Sequence, residues 1–240
     1  MRLPPESSSS WVLITFAGFS WASLNAWSEF TALPQADRDA LSEAATVLRA
    51  GVESLLKEAR ETQDQTIFGR PEAQARQNAW LTLLKRTTAE ALAIVSFKLA
   101  GGSKDDPQVR EFLPNLLGGI TSKKIAERPE AVERAAGRLK NLPADFSEKN
   151  EIVARLEQAA AGAQASIDAA GVAWSAWNRE RSEEIVAKGR LRLDLERTHR
   201  LLGARFPGQR DFVESFFLRG AKPSEGSTED EEEAPAGEGG

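Results

Sequence analysis

One stretch of this chain constrains its fold more than any other. From Glu148 to Arg205 there is no proline, and an apolar stripe runs through Leu156, Ala160, Ala163, Ile167, Ala170, Trp174, Trp177, Arg181, Glu184, Lys188, Leu191, Leu195, Thr198 and Leu202. The steps alternate four and three without losing phase, the signature of one helix face. A turn near Gly171 would give a second hairpin, but turns bring clusters of breaking residues. The reading favours one long helix over 148–205. Its stripe turns polar at Arg181, Glu184 and Lys188, where the helix either projects past its neighbours or pairs its charges. Its alanines (Ala160, Ala163, Ala170) allow close approach of another helix, internal or from a second copy.

A second stripe, Leu41, Ala45, Leu48, Val52, Leu55 and Ala59, follows Asp37, a fitting N-cap. The sequence "QTIFGRP" at 65–71 interrupts it with Gly69 and Pro71. Proline suits the first turn of a new helix, where a missing N–H costs nothing. That helix carries Trp80, Leu84, Thr87, Ala91 and Ile94 and stops at Gly101-Gly102. The spacing predicts an antiparallel hairpin over 37–100. Residues 107–143 predict short bracing helices, broken at Pro114 and bounded by Pro129 and Pro143. After the turn at Pro207-Gly208, the face formed by Phe212, Val213, Phe216 and Phe217 predicts a short helix over 210–219.

No strand-like alternation follows residue 30. The fold class is therefore all-α: an antiparallel hairpin packed with a long C-terminal helix, or with a second hairpin, in a coiled-coil-like bundle. The body spans 35–220, preceded by an aromatic-rich arm at 1–34. A faint internal echo pairs "KRT" (85–87) with "ERT" (196–198), and "VREFL" (109–113) with "VESFF" (213–217). Each pair couples the end of a long helix to a short aromatic one.

Charge needs dividing before it is used. The formal net charge is −5, but residues 221–240 hold seven acids and Lys222, so the body is nearly neutral. This balance offers no broad field for nucleic acid or acidic lipid. The tail is too polar to offset the entropy of ordering, and its composition predicts disorder. With no cysteine and a single histidine, His199, the usual zinc ligand sets are missing. No G-x-S-x-G elbow or phosphate loop is present. Glu196 and His199 match half of a di-metal motif, but no second half exists. His199 reads as an exposed or half-exposed helix residue, and Trp174 and Trp177 read as core. No catalytic residue, metal or cofactor is expected.

The arm holds six of the seventeen aromatic residues, at Trp11, Phe16, Phe19, Trp21, Trp27 and Phe30. A membrane span needs about 20 mostly apolar residues. Here Thr15, Ser20, Ser23 and Asn25 interrupt a shorter run. A secretory leader would fit "WVLITFAGF" and a small-x-small site at Ser20-Trp21-Ala22, which would remove residues 1–22, but its basic region is only Arg2. The favoured reading packs the arm on the helical body and leaves some of it for a partner.

The candidate partner-binding residues are Trp11, Phe16, Phe19, Trp21, Trp27, Arg181, Lys188 and Arg192. The last three lie in residues 179–210, where nine basic residues interleave with five acids. Interleaving marks a salt-bridged face more than a phosphate-binding one. The expectation is a non-enzymatic, cytoplasmic interaction or scaffold protein that binds a protein or itself. The alternatives are an exported or envelope-associated protein and a nucleic-acid binder acting through 179–210. Membrane attachment is not favoured.

Overall fold

The computed structural model describes residues 1–143 and 145–218, and every regular element among them is helical. The helices are α1 (Ser10–Ser28), α2 (Gln35–Asp64), α3 (Arg70–Ala100), α4 (Pro107–Phe112), α5 (Gly118–Thr121), α6 (Arg128–Asn141), α7 (Lys149–Arg205) and α8 (Arg210–Ser215). The protein is a helical bundle, as the stripes predict. The packing of the described residues divides into two units, 1–57 with 185–218, and Glu58–Glu184. Helices α2 and α7 contribute residues to both.

The proline-free stretch is one helix of 57 residues. The hairpin expected over 37–100 is not formed. Between α2 and α3 the chain makes a π-helical turn, Gln65–Gly69, in which the Arg70 N–H reaches back to the Gln65 carbonyl. Gly69 and Arg70 keep right-handed helical angles, so the chain does not reverse. The physical reason lies in Pro71. In a regular helix its ring would collide with the carbonyl four residues back. Widening the turn by one residue relieves that collision while the helix continues. Helix α3 does stop where expected: Gly101 adopts φ +58°, and the Gly102 N–H donates to the Ser96 carbonyl at 2.9 Å. The Gly101 N–H donates to the Phe97 carbonyl at 3.2 Å, the five-to-one bond of a left-handed helix cap that glycine adopts without strain.

In the first unit the arm is not a separate region. Helix α1 begins at Ser9, whose Oγ accepts the Val12 N–H at 3.4 Å. It buries Leu13, Phe16, Ala17, Ser20 and Leu24. These fall at helical spacing and pack with Leu41, Ala45, Leu48 and Leu55 of α2 and with Leu191, Leu195 and Leu202 of α7. The polar residues that break up the apolar run fit this role. The Ser20 hydroxyl, fully buried, donates to the Phe16 carbonyl at 3.1 Å, which removes the cost of burying it. Helix α8 closes one end with Val213, Phe216 and Phe217, all buried. No described helix is long and apolar enough to cross a membrane.

The second unit packs α3, α4 and α6 with the first part of α7. Its core interleaves the alanines Ala91, Ala135, Ala136, Ala159, Ala160 and Ala163 with leucine, valine and isoleucine. Ala160 and Ala163 of the α7 seam are thus packed inside this unit, while Ala170 is half-buried. At Gly162 the approach is closest: a Cβ there would stand 2.2 Å from the Trp80 ring. The bracing helices fall where the prolines put them, with Pro107 and Pro129 each in a first turn.

Candidate functional site

The eight candidate residues separate by what they touch. In the first unit, α7 holds the arm through its backbone. Lys188 donates from Nζ to the Glu6 carbonyl at 2.8 Å and to the Ser8 carbonyl, and Arg192 donates from a terminal guanidinium nitrogen to the Pro4 carbonyl at 2.7 Å. Lys188, a polar position of the stripe, and Arg192, one turn further along α7, therefore serve as a clasp. Phe16 is buried. Trp21 is half-buried under the Arg49 guanidinium, 5.4 Å from its ring centre. Trp27, also half-buried, meets Phe30, Phe212 and Phe216 edge-on at centroid distances of 5.1, 5.0 and 6.3 Å. Such edge-to-face pairs add to area burial.

Of the five candidate aromatics of the arm, two face solvent, Trp11 at 44% and Phe19 at 43% exposure. With Thr15 they sit four residues apart on one face of α1. Beside Trp11 opens a groove of about 690 Å³. Its apolar walls include Leu3, Pro4, Val12 and Leu218, and two cations, Arg2 and Arg192, also line it. The arm thus supplies most of the groove.

His199 is half-buried. Its Nε2 lies 3.2 Å from the Met1 ammonium and 3.1 Å from Glu214 Oε1, and its ring meets Phe217 edge-on. The Met1 ammonium also donates to Glu214. That ammonium first, and His199 after it, hold the Glu214 carboxyl below its ordinary range against the opposing pull of partial burial. The only imidazole of the chain is thereby committed to a structural cluster.

In the second unit the core reading of the tryptophan pair needs correction. Trp174 is 49% exposed. It stacks on Trp177 at 5.3 Å, and the Arg70 guanidinium lies over both rings at 4.3 and 4.7 Å. Trp177 donates its indole N–H to Thr66 Oγ1 at 2.9 Å, and Arg181 lies 5.4 Å from the centre of its ring. Thr66 and Arg70 come from the π-turn and its border, so the widened turn supplies both contacts. Sequence spacing gave Trp174 and Trp177 a common face but did not say that this face meets a cation from another helix.

Three carboxylates also gather nearby. Glu58, Glu180 and Glu183 each bring an oxygen within 4.8 Å of the others. Hard cations take such oxygens, but Glu180 already accepts from Arg179 at 2.7 Å. The i, i+3 spacing of Glu180 and Glu183 was visible in the sequence; the approach of Glu58 was not.

With an all-α bundle and these surfaces as its defining features, the chain was compared with known proteins. No family model, no curated protein and no solved structure matches it.

Proposed function

We propose that this is a non-enzymatic helical interaction protein, and that the groove walled by its amino-terminal arm receives a protein partner. The observation that carries the reading is the groove itself, with the exposed Trp11 at its edge. Its volume falls in the range of pockets that hold a compact ligand, about 300–1,000 Å³. It would take a short run of apolar side chains, and Arg2 favours an acidic residue beside that run. Tryptophan and arginine are the residue types in which interface energy concentrates.

Other details favour a protein over nucleic acid. Of the nine basic residues in 179–210, Arg179, Arg181, Lys188, Arg192, Arg200 and Arg205 all have partners within the chain. Arg205, for example, reaches Asp37 at 2.7 Å. A phosphate backbone would have to compete for them. A cytoplasmic setting belongs to the same proposal, and a native chain beginning at Ser23 would overturn it. The acidic tail, whose composition predicts disorder, lies outside the described residues.

A displayed peptide library selected on the full chain tests the groove. Enrichment of short apolar–acidic peptides, lost in Trp11→Ala and in Val12→Asp, is the expected result. No enrichment, or enrichment indifferent to both substitutions, overturns it. Sedimentation of the same variants shows whether a second copy is the partner.

A further inference from the structure

A second cavity, of about 340 Å³, lies wholly in the second unit between the α4–α5 connection and α6. Leu113 and Ile120, both buried, form part of its wall. Three cations line it, Lys123, Arg134 and Arg138, with Asn115 beside them, and its described lining holds no carboxylate. Arg134 and Arg138 stand one turn apart on α6, where like charges repel. Lys123 comes from the segment after α5. Three positive groups from two segments therefore surround one small polar space.

One of the three, Arg134, pairs with Glu130 at 3.5 Å. Glu130 lies outside the cavity lining, and both partners are more than half exposed (53% and 63%). Exposed i, i+4 pairs of this kind contribute only about 0.3–0.5 kcal/mol.

The walls are held in shape before any ligand arrives. Arg128 donates from Nε to the Lys123 carbonyl at 3.0 Å and from a terminal nitrogen to the Thr121 carbonyl at 3.1 Å, tying this segment to the start of α6. Arg110 donates to the Pro114 carbonyl at 3.1 Å. Leu116 adopts φ +48°, a left-handed conformation that costs a branched residue and persists only where its surroundings enforce it. Gly119 allows the connection to fold this tightly, since a Cβ there would lie 2.8 Å from the Asn115 Cβ.

We infer that this cavity binds a compact phosphorylated group. Two guanidiniums and an ammonium complement a phosphoryl group in sign of charge and in hydrogen-bond donors. The volume exceeds that of one phosphate, so a diphosphate or a phosphorylated small molecule fits better. The site is independent of the arm groove, and either can fail without the other.

Inorganic pyrophosphate, titrated calorimetrically into the full chain at low salt, is the probe. It should bind at one site per chain, and Arg138→Gln and Lys123→Gln should each weaken binding about tenfold, the loss of one charge-assisted contact. Glu130→Gln should leave binding intact or tighten it. Arg86→Gln removes an exposed cation elsewhere in the same unit and should change nothing. These side chains are exposed or at the cavity rim, and unchanged helical circular dichroism checks that each variant folds. Vesicles carrying phosphatidylinositol bisphosphate form the second arm. Binding to them but not to free pyrophosphate, abolished by Arg138→Gln, assigns the group to a lipid head. Absence of binding in both arms overturns the inference, as does equal weakening by Arg138→Gln and Arg86→Gln.

Discussion

The two units solve the same packing problem with different side chains. The first fills its core with rings, burying Phe16, Phe206, Phe216 and Phe217 among leucines. The second interleaves alanines with leucine, valine and isoleucine, with Phe112 its one fully enclosed ring among the described residues. Rings fill wide gaps between helices. Alanines let helices approach until backbone meets side chain, as at Gly162 and Trp80. A ring core therefore suffers most from deletion, and an alanine core from addition.

The largest expected effect tests the ring core. Phe216 is fully buried and meets Phe212 at 4.8 Å. Phe216→Ala should cost about 3–5 kcal/mol in chemical denaturation, the usual range for a large aromatic removed from a core. A loss below half of that would mean α8 is only loosely docked.

A smaller effect compares one glycine from each unit. A Cβ on Gly162 would strike the rigid Trp80 ring at 2.2 Å, so Gly162→Ala should cost about 1–3 kcal/mol through overpacking. In the first unit a Cβ on Gly51 would meet Leu191 Cδ1 at 2.9 Å, the movable end of a side chain. There the gain in helix propensity, about 1 kcal/mol, should offset the displacement. Thermal melts that rank the two the other way would break the contrast.

The smallest effect concerns acid. Lys98 at 2.8 Å, then the Ser147 hydroxyl and the backbone N–H of Glu148 itself, hold the Glu148 carboxyl down to about 2 from its usual 4.5. A carboxyl depressed on folding stabilises above its unfolded pKa, and that contribution is lost as pH falls through the folded one. The midpoint of unfolding should therefore drop slightly more steeply between pH 4.5 and about 2 in the native chain than in Glu148→Gln. Identical slopes would show that this exposed pair does nothing.

The sequence showed the helices more clearly than their connections. Of the stripe from Leu41 to Ala59, all but Val52 are fully buried, because period and burial are the same physical fact for a packed helix. The echo between "VREFL" and "VESFF" also has a structural counterpart. Val109 and Phe112 in one unit, and Val213 and Phe216 in the other, are buried on or just past short helices that follow long ones. The turn at 65–71 was misread because glycine and proline signal a disturbance of the helix without saying whether it reverses or widens. The cavity of Lys123, Arg134 and Arg138 was invisible for a different reason. Its members come from separate segments, and nothing in their spacing says that they share a space. The arm groove was half legible: the aromatic load announced a packed segment, but only the fold separates Trp11 and Phe19 from Phe16.

Lys188 and Arg192 grip the arm by peptide oxygens, which every amino acid supplies. The clasp is therefore blind to the letters at positions 4, 6 and 8. Side chains along that margin can drift while the course of the backbone stays put. A lineage could retune what the groove accepts, one substitution at a time, without first loosening the wall that makes it a groove.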